Sequence, residues 1–148
     1  MEWERYDTVR CDTYTYEFYS EGPKGKIRKI VKLRHFKRMG INVYNLAFGD
    51  LIDKGKIDDT VVSNNGDSYL VLATVAQTIS IFCESRPEAM VVIKGNDDVR
   101  NRLYRIAINK WLQEFPGSFS VLGLRGTHWY DYNQTSVYEG YCIKRNYL

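Results

Sequence analysis

The segment 90–105 constrains the fold of this chain more than any other part. A short apolar run, Met90–Ile93, stops at a glycine, and polar residues that can cap a helix follow. The helix that begins there carries Arg100, Arg102 and Arg105. This pattern predicts a buried strand, a tight turn and a helix. Backbone N–H groups at a helix start and arginine side chains can hold an anion together, so the segment also indicates an anion-binding site.

Alternating apolar residues and clusters of turn residues predict the other elements. The predicted strands span 13–19, 26–36, 41–48, 57–62, 89–93, 119–124 and 137–144, and the predicted helices span 67–84 and 97–115. This order, ββββαβαββ, starts with an antiparallel meander and favours an α+β fold. We therefore expect one domain over residues 1–148, with a mostly antiparallel sheet and two helices packed on one of its faces.

The cysteines and the apolar runs narrow the compartment. Cys11, Cys83 and Cys142 lie far apart without a C-x-x-C pair, so we expect free buried thiols rather than disulfides or a zinc site. No apolar run approaches the roughly 20 residues that span a bilayer, and no apolar stretch follows the charged N-terminus. The sequence therefore predicts a cytoplasmic protein without a membrane partner.

The strand predicted at 26–36 has a high density of positive charge. Residues 24–38 include nine basic or potentially basic side chains and no acid, although the net charge of the chain is only +3. Because alternate residues of a strand share a face, four of these side chains should form one positive surface, the basic ridge. Its members are Lys26, Arg28, Lys32 and Arg34.

Two interpretations of the basic ridge remain open. With Tyr14, Tyr16 and Tyr44 on neighbouring strands, it could bind single-stranded nucleic acid through phosphate contacts and base stacking. Alternatively, it is a solvated edge strand that lysines protect against aggregation. The first interpretation makes nucleic acid, or another anionic ligand, the predicted partner.

The second helix separates its arginines by helical periodicity. Val99, Leu103, Ile106 and Ala107 are predicted on its buried side. Arg102 and Arg105 form a separate and more exposed stripe, whereas Arg100 falls inside the apolar sector beside Ala107 and Trp111. A buried guanidinium needs a partner, because an unpaired buried charge is costly. That partner is either an internal acid or a bound phosphate or carboxylate. The candidate acids are Asp58, Asp59 and Asp98.

Clustered acids offer an alternative site. Asp58, Asp59 and Asp67 could bind Mg²⁺ for phosphoryl transfer if their carboxylates converged, but aspartates are also common in turns. We expect the three to be dispersed, and we expect no metal and no cofactor. The chain contains no nucleophile motif such as G-x-S-x-G, so whether it is an enzyme stays uncertain.

Over most of its length the chain resembles a family of short, uncharacterised bacterial proteins, classed as a domain of unknown function. The stretches that carry the resemblance are residues 2–6, 20–29, 44–50, 57–59, 61–67, 71–76 and 100–105. The family implies no activity. The resemblance implies a Gly-Ser turn before the arginines, whereas this chain has Gly95-Asn96-Asp97-Asp98, and acids at a helix start repel an anion.

These observations predict a cytoplasmic protein that binds an anionic partner, first of all nucleic acid. The predicted contact residues are the basic ridge with Arg100, Arg102 and Arg105. One alternative is a metal-dependent phosphoryl-transfer or nuclease-like enzyme that uses Asp58, Asp59 and Asp67 with Arg100. The other is a protein-interaction module, such as a toxin–antitoxin component.

Overall fold

The computed structural model describes residues 4–52, 56–58, 65–95 and 97–146. The described strands are β1 (Val9–Asp12), β2 (Thr15–Gly22), β3 (Gly25–His35), β4 (Val43–Ile52), β5 (Lys56–Asp58), β6 (Met90–Ile93), β7 (Phe119–Arg125), β8 (His128–Asp131) and β9 (Gly140–Arg145). The described helices are α1 (Ser68–Glu84) and α2 (Asp98–Glu114). The chain is therefore an α+β protein with a mostly antiparallel sheet. Within the described ranges, neither helix combines the length and apolarity needed to cross a membrane.

The described residues group into two compact units, each built from two separate segments of the chain. The first unit comprises the described residues up to Arg34 and those of Leu46–Phe82. The second comprises His35–Asn45 and the described residues from Cys83 onward. Each unit thus depends on contacts between segments that are distant in sequence. The single-domain organisation stays a prediction.

In the first unit, β1, β2, β3 and β4 are neighbours in that order, and β5 pairs with β4. Strands β2 and β3 form an antiparallel hairpin whose register runs from Gly22 opposite Gly25 to Thr15 opposite Lys32. Side chains alternate along β2, so that Tyr16 and other even-numbered residues are buried. Helix α1 contributes Val75, Ile79 and Phe82 to the buried residues of this unit.

In the second unit, β9 pairs antiparallel with both β6 and β7, and β7 also pairs with β8. Helix α2 begins after Asp97, whose side chain accepts a hydrogen bond from the backbone N–H of Arg100 at 2.8 Å. It ends at Phe115, directly before a proline that cannot continue a helix. Its buried residues include Tyr104, Ile108 and Trp111.

The predicted fold class and both predicted helices are confirmed, but the predicted strand order is wrong. The described order is βββββαβαβββ, because β1 and β8 were not predicted and the final strand covers Gly140–Arg145 rather than 137–144. All residues of β1 are exposed, and β8 is nearly so, hence neither strand has the alternation that identifies a half-buried strand. The packing of both helices on one face stays a prediction.

Candidate anion-binding surfaces

The four side chains of the basic ridge are all exposed and alternate along β3, in the first unit. Their spacing places them on the face opposite Val31 and Leu33, which are buried. Ile30 interrupts the ridge, since it is also buried although it has the parity of the exposed face. The predicted positive face therefore exists, but in two halves, before and after residue 30.

Acids of the neighbouring strand neutralise the first half of the ridge. The Lys26 ammonium lies 3.6 Å from a carboxylate oxygen of Glu21, directly opposite it in the register of β2 and β3. The Arg28 guanidinium donates a 2.6 Å hydrogen bond to Glu17, and this bond raises the pKa of Arg28. The first half of the ridge is thus a mixed-charge surface rather than a positive one.

The second half of the ridge forms no such ion pair in the described residues. Hydrogen bonds from the Tyr14 backbone and the Thr15 side chain lower the pKa of Asp12, and the charge of Lys32, which lies opposite Thr15, lowers it further. Within the described ranges, neither Lys32 nor Arg34 comes within 4.0 Å of an acid. These two residues are therefore the part of the ridge available to an anionic partner.

The three predicted stacking tyrosines differ in exposure. In the first unit Tyr16 is buried, whereas Tyr14 is 42% exposed and its ring packs 6.2 Å from that of Phe82. In the second unit, half-buried Tyr44 packs 5.1 Å from the ring of His35. Tyr16 is therefore not open to bases, and base stacking stays a prediction.

In the second unit, the turn between β3 and β4 carries two further cations. Lys37 and Arg38 are exposed there and, like Lys32 and Arg34, pair with no acid that the structure describes. The His35 side chain is hydrogen bonded to the Ile41 carbonyl oxygen, and the Met39 N–H donates to the Phe36 carbonyl oxygen at 3.0 Å. These bonds hold the backbone of the turn that carries the two cations.

On α2 the three predicted arginines divide as their helical spacing indicated. Arg100 is buried, with 8% of its surface exposed, whereas Arg102 is exposed and Arg105 is half-buried. Two other predictions for this helix are wrong, since Val99 and Ile106 are 59% and 52% exposed. The buried side of α2 is centred on Tyr104 and its neighbours, and Val99 and Ile106 lie outside it.

Arg102 and Arg105 line a cavity of about 250 Å³ in the second unit. The other residues of its lining are Asp98, Asn101, Val137, Tyr138 and Tyr141. The arginines stand one helical turn apart on α2, so both guanidinium groups can approach one ligand. Sequence analysis missed the opposite wall, and the signal that could have indicated it is the tyrosine-rich end of the chain, with Tyr132, Tyr138 and Tyr141.

Hydrogen bonds fix the aromatic wall. The Tyr141 hydroxyl donates to the Asn101 carbonyl oxygen at 3.2 Å, and the Tyr138 hydroxyl donates to the Asp131 carbonyl oxygen at the same distance. The Tyr138 ring packs against Gly123, where an added Cβ would lie 2.2 Å from a ring carbon. The Arg125 guanidinium lies 5.5 Å from the centre of the same ring. These contacts make the wall rigid before any ligand binds.

Two tyrosines report the positive field of Arg105. Burial raises the pKa of Tyr141 to about 12 and also raises the pKa of Tyr132, while the nearby charge of Arg105 acts in the opposite direction on both. A positive charge favours the tyrosinate and so opposes the effect of burial. Arg105 and Tyr141 line the same cavity.

The alternative metal site lies only partly within the described residues. Asp59 and the side chain of Asp58 lie outside the described residues. Asp67 is buried and accepts 2.5 Å hydrogen bonds from the hydroxyls of Tyr6 and Ser20. The described residues contain no group of three His, Cys, Asp or Glu side chains that could hold a metal. Asp67 thus has a structural role at the start of α1, where its carbonyl accepts from Val71.

The predicted burial of the cysteines is correct for two of the three. Cys83 and Cys142 are free and buried, and burial raises the pKa of each thiol to about 11. Cys11 is also free but is exposed on β1, which corrects the expectation that it is buried. A raised pKa keeps the two buried thiols protonated and unreactive near neutral pH.

Comparison with known proteins adds one finding. The model of a family of unknown function (DUF6934) matches residues 2–146, nearly the whole chain. No curated protein and no solved structure shows significant similarity to the chain. The chain is thus similar to a family whose description names no activity, and the function has to be inferred from the residues themselves.

Proposed function

The chain belongs to this family of unknown function, and we propose that it binds an anionic partner, single-stranded nucleic acid first of all. One observation carries the proposal. Two exposed cations of β3, both in the first unit, pair with no acid in the described ranges. These cations, the basic segment, are Lys32 and Arg34.

Such a segment suits the phosphates of a nucleic-acid backbone. Each cation that neutralises a phosphate releases a condensed counterion, which makes binding favourable at low salt and insensitive to base sequence. An extended strand can lie along a flexible backbone, whereas open tyrosine rings for base readout are missing from the described residues of β2 and β3 except at Tyr19. We therefore expect binding with weak sequence preference.

Fluorescence anisotropy with a labelled 12-nucleotide single strand tests the proposal. Lys32→Ala/Arg34→Ala should weaken binding and reduce the slope of log K against log salt by about 0.7 for each lost phosphate contact. Lys26→Ala/Arg28→Ala is the matched control, because it removes the same charge from the same strand face where Glu21 and Glu17 already neutralise it. Equal effects of the two double variants, or wild-type binding that ignores salt, would refute the proposal.

A protein-interaction module is the second candidate function, and a separate observation favours it. Phe36, Met39 and Ile41 are exposed on the turn between β3 and β4, where Ile41 is 82% exposed. Large exposed apolar side chains on one short turn are typical of a surface that a protein partner covers. Binding to such a partner would depend little on salt, which separates it from nucleic-acid binding.

The metal-dependent enzyme has no comparable support within the described residues, since the Asp67 carboxylate already accepts hydrogen bonds from the hydroxyls of Tyr6 and Ser20. It stays an alternative whose test is magnesium-dependent turnover of a nucleic acid. The cytoplasmic location also stays a prediction, with which the free buried thiols Cys83 and Cys142 agree.

A further inference from the structure

The cavity beside α2 has a lining that differs in kind from the basic segment. It combines two arginines and one acid with an apolar and aromatic wall. We propose that this cavity binds a single nucleotide, either free or as one nucleotide of a strand. The inference deepens the proposed function and rests on it only where the nucleotide belongs to a strand.

The phosphate would be held by Arg102 and Arg105. Both arginines line the cavity from successive turns of one helix, and neither pairs with an acid that the structure describes. Arginine presents several N–H donors in a planar fork that fits two phosphate oxygens at once. Arg105 lines the same cavity as Tyr141, and its charge acts to lower the pKa of that tyrosine against the effect of burial.

Asp98 selects a nucleotide over a bare anion. Its carboxylate belongs to the same lining and would repel inorganic phosphate that approached it. A ribose hydroxyl or an exocyclic base amine, by contrast, can donate a hydrogen bond to a carboxylate. A nucleotide carries both groups: its phosphate would bind the arginines, and its ribose hydroxyl or base amine would bind Asp98.

The remaining wall offers an apolar contact for the base. Val137 is 70% exposed and lines the cavity, whereas the ring of Tyr138 is already packed against Gly123 and Arg125. The base would therefore lie against Val137 and the accessible parts of the tyrosines rather than stack between two rings. At about 250 Å³ the cavity is slightly smaller than the roughly 300–1,000 Å³ typical of pockets for drug-sized ligands, so part of a bound nucleotide would extend into solvent.

Isothermal titration calorimetry with UMP, AMP, ribose 5-phosphate and inorganic phosphate tests the inference, with NMR shifts of residues 98–105 and 137–141 as a second readout. We expect saturable binding of the nucleotides and at least ten-fold weaker binding of inorganic phosphate. Arg102→Gln and Arg105→Gln should each weaken nucleotide binding about ten-fold or more, because each removes a charged hydrogen bond. Asp98→Asn should reduce the preference for nucleotide over inorganic phosphate.

Lys110→Gln is the matched control. Lys110 lies on the same helix outside the cavity lining and pairs with Glu114 at 3.8 Å, so its loss removes one positive charge without touching the site. Its nucleotide affinity should equal that of the wild type. Equal loss in Lys110→Gln and Arg105→Gln, or equal affinity for inorganic phosphate and UMP, would overturn the inference.

The two proposals fail separately. If the 12-nucleotide strand binds through the basic segment while no nucleotide binds the cavity, the inference is wrong and the proposed function stands. If UMP binds but the strand does not, the reverse holds. Competition then identifies the source: displacement of the labelled strand by UMP places a nucleotide of the strand in the cavity, and simultaneous binding makes the free nucleotide the ligand.

Discussion

Strand β3 and helix α2 both carry regularly spaced cations, but the two elements use them differently. On β3 the exposed face is half neutralised by Glu17 and Glu21, and Lys29 on the opposite face is buried in an ion pair with Asp50. On α2 one arginine is buried and two line a cavity with tyrosines. The lysines and arginines of these elements thus fall into three groups. Some form surface ion pairs, some are buried structural charges, and some have no acid partner in the described residues.

The neighbouring element decides which role a cation has. The spacing along β3 or α2 determines the side on which a side chain lies, and this much follows from backbone geometry. On a strand, the register with the neighbouring strand determines whether an acid lies on that side, as with Glu21 opposite Lys26. On the helix, it depends on the residues that pack beside it. Charge density in a sequence is therefore weak evidence for binding until the acids across the register are known.

The largest expected effect is on stability and distinguishes two lysines of β3, one buried and one exposed. Lys29→Met should lower the free energy of unfolding by about 3 kcal/mol, because it leaves the Asp50 carboxylate without its cation in a mostly buried site, where the Lys29 side chain is only 7% exposed. Lys26→Met, three residues away and exposed, should change stability by less than about 1 kcal/mol. Urea denaturation of both variants measures the difference, and equal midpoints would show that Lys29 is not a structural charge.

The corresponding pair on α2 should behave in the same way but with a smaller difference. Arg100→Met should destabilise the protein by about 2 kcal/mol, since Arg100 is buried and methionine cannot bind the polar groups that a buried charged side chain requires around it. Arg102→Met should lie within about 0.5 kcal/mol of the wild type, because that side chain is exposed. If Arg102→Met proved the more damaging change, the division between structural and available arginines would be wrong.

The contrast between β3 and α2 also shows what sequence could predict. Helical spacing placed Arg100 inside and Arg102 outside correctly, and alternation placed the basic ridge on one exposed face, because both are properties of one element. The burial of Val99 and Ile106 was predicted wrongly, since an apolar residue is no proof of a buried position when α2 needs only a narrow buried stripe.

The rest of the candidate site depends on contacts that no local pattern contains. The cavity forms where α2 meets Val137, Tyr138 and Tyr141, more than thirty residues further along the chain. The pairing of Glu17 with Arg28 likewise depends on the register of a hairpin, which the turn residues restrict but do not define. The exposed strands β1 and β8 were missed for a related reason, since edge strands need no apolar face.

Removing an acid should convert a paired cation into an available one. Glu17→Gln leaves Arg28 on the exposed face without its 2.6 Å partner. We expect single-strand binding to strengthen a few-fold at low salt and the salt slope to increase by about 0.7. Gln113→Glu is a control for net charge, because it adds one negative charge at an exposed position of α2. It should not weaken single-strand binding by a comparable factor. Unchanged binding in Glu17→Gln would mean that β3 does not contact the strand.

The smallest expected effect concerns the field of Arg105. Burial raises the pKa of Tyr141 to about 12 and also raises that of Tyr132, so folding favours their protonated forms. Their contribution to stability is complete below pH 10 and is lost as pH rises from 10 toward 12, by up to about 1.4 kcal/mol per pH unit for each tyrosine. The thiols of Cys83 and Cys142, with pKa values of about 11, act in the same sense from pH 9 upward.

Arg105 opposes this effect of burial, because its positive charge favours the tyrosinate. Arg105→Gln should therefore shift the rise of tyrosinate absorbance at high pH further upward, while Arg28→Gln, which removes a cation from the surface of β3, should leave the buried tyrosines unchanged. The titration is followed by ultraviolet absorbance, with circular dichroism to locate unfolding. An unchanged curve for Arg105→Gln would mean that its guanidinium faces solvent, and the cavity would then lose one of the two cations that make it a phosphate site.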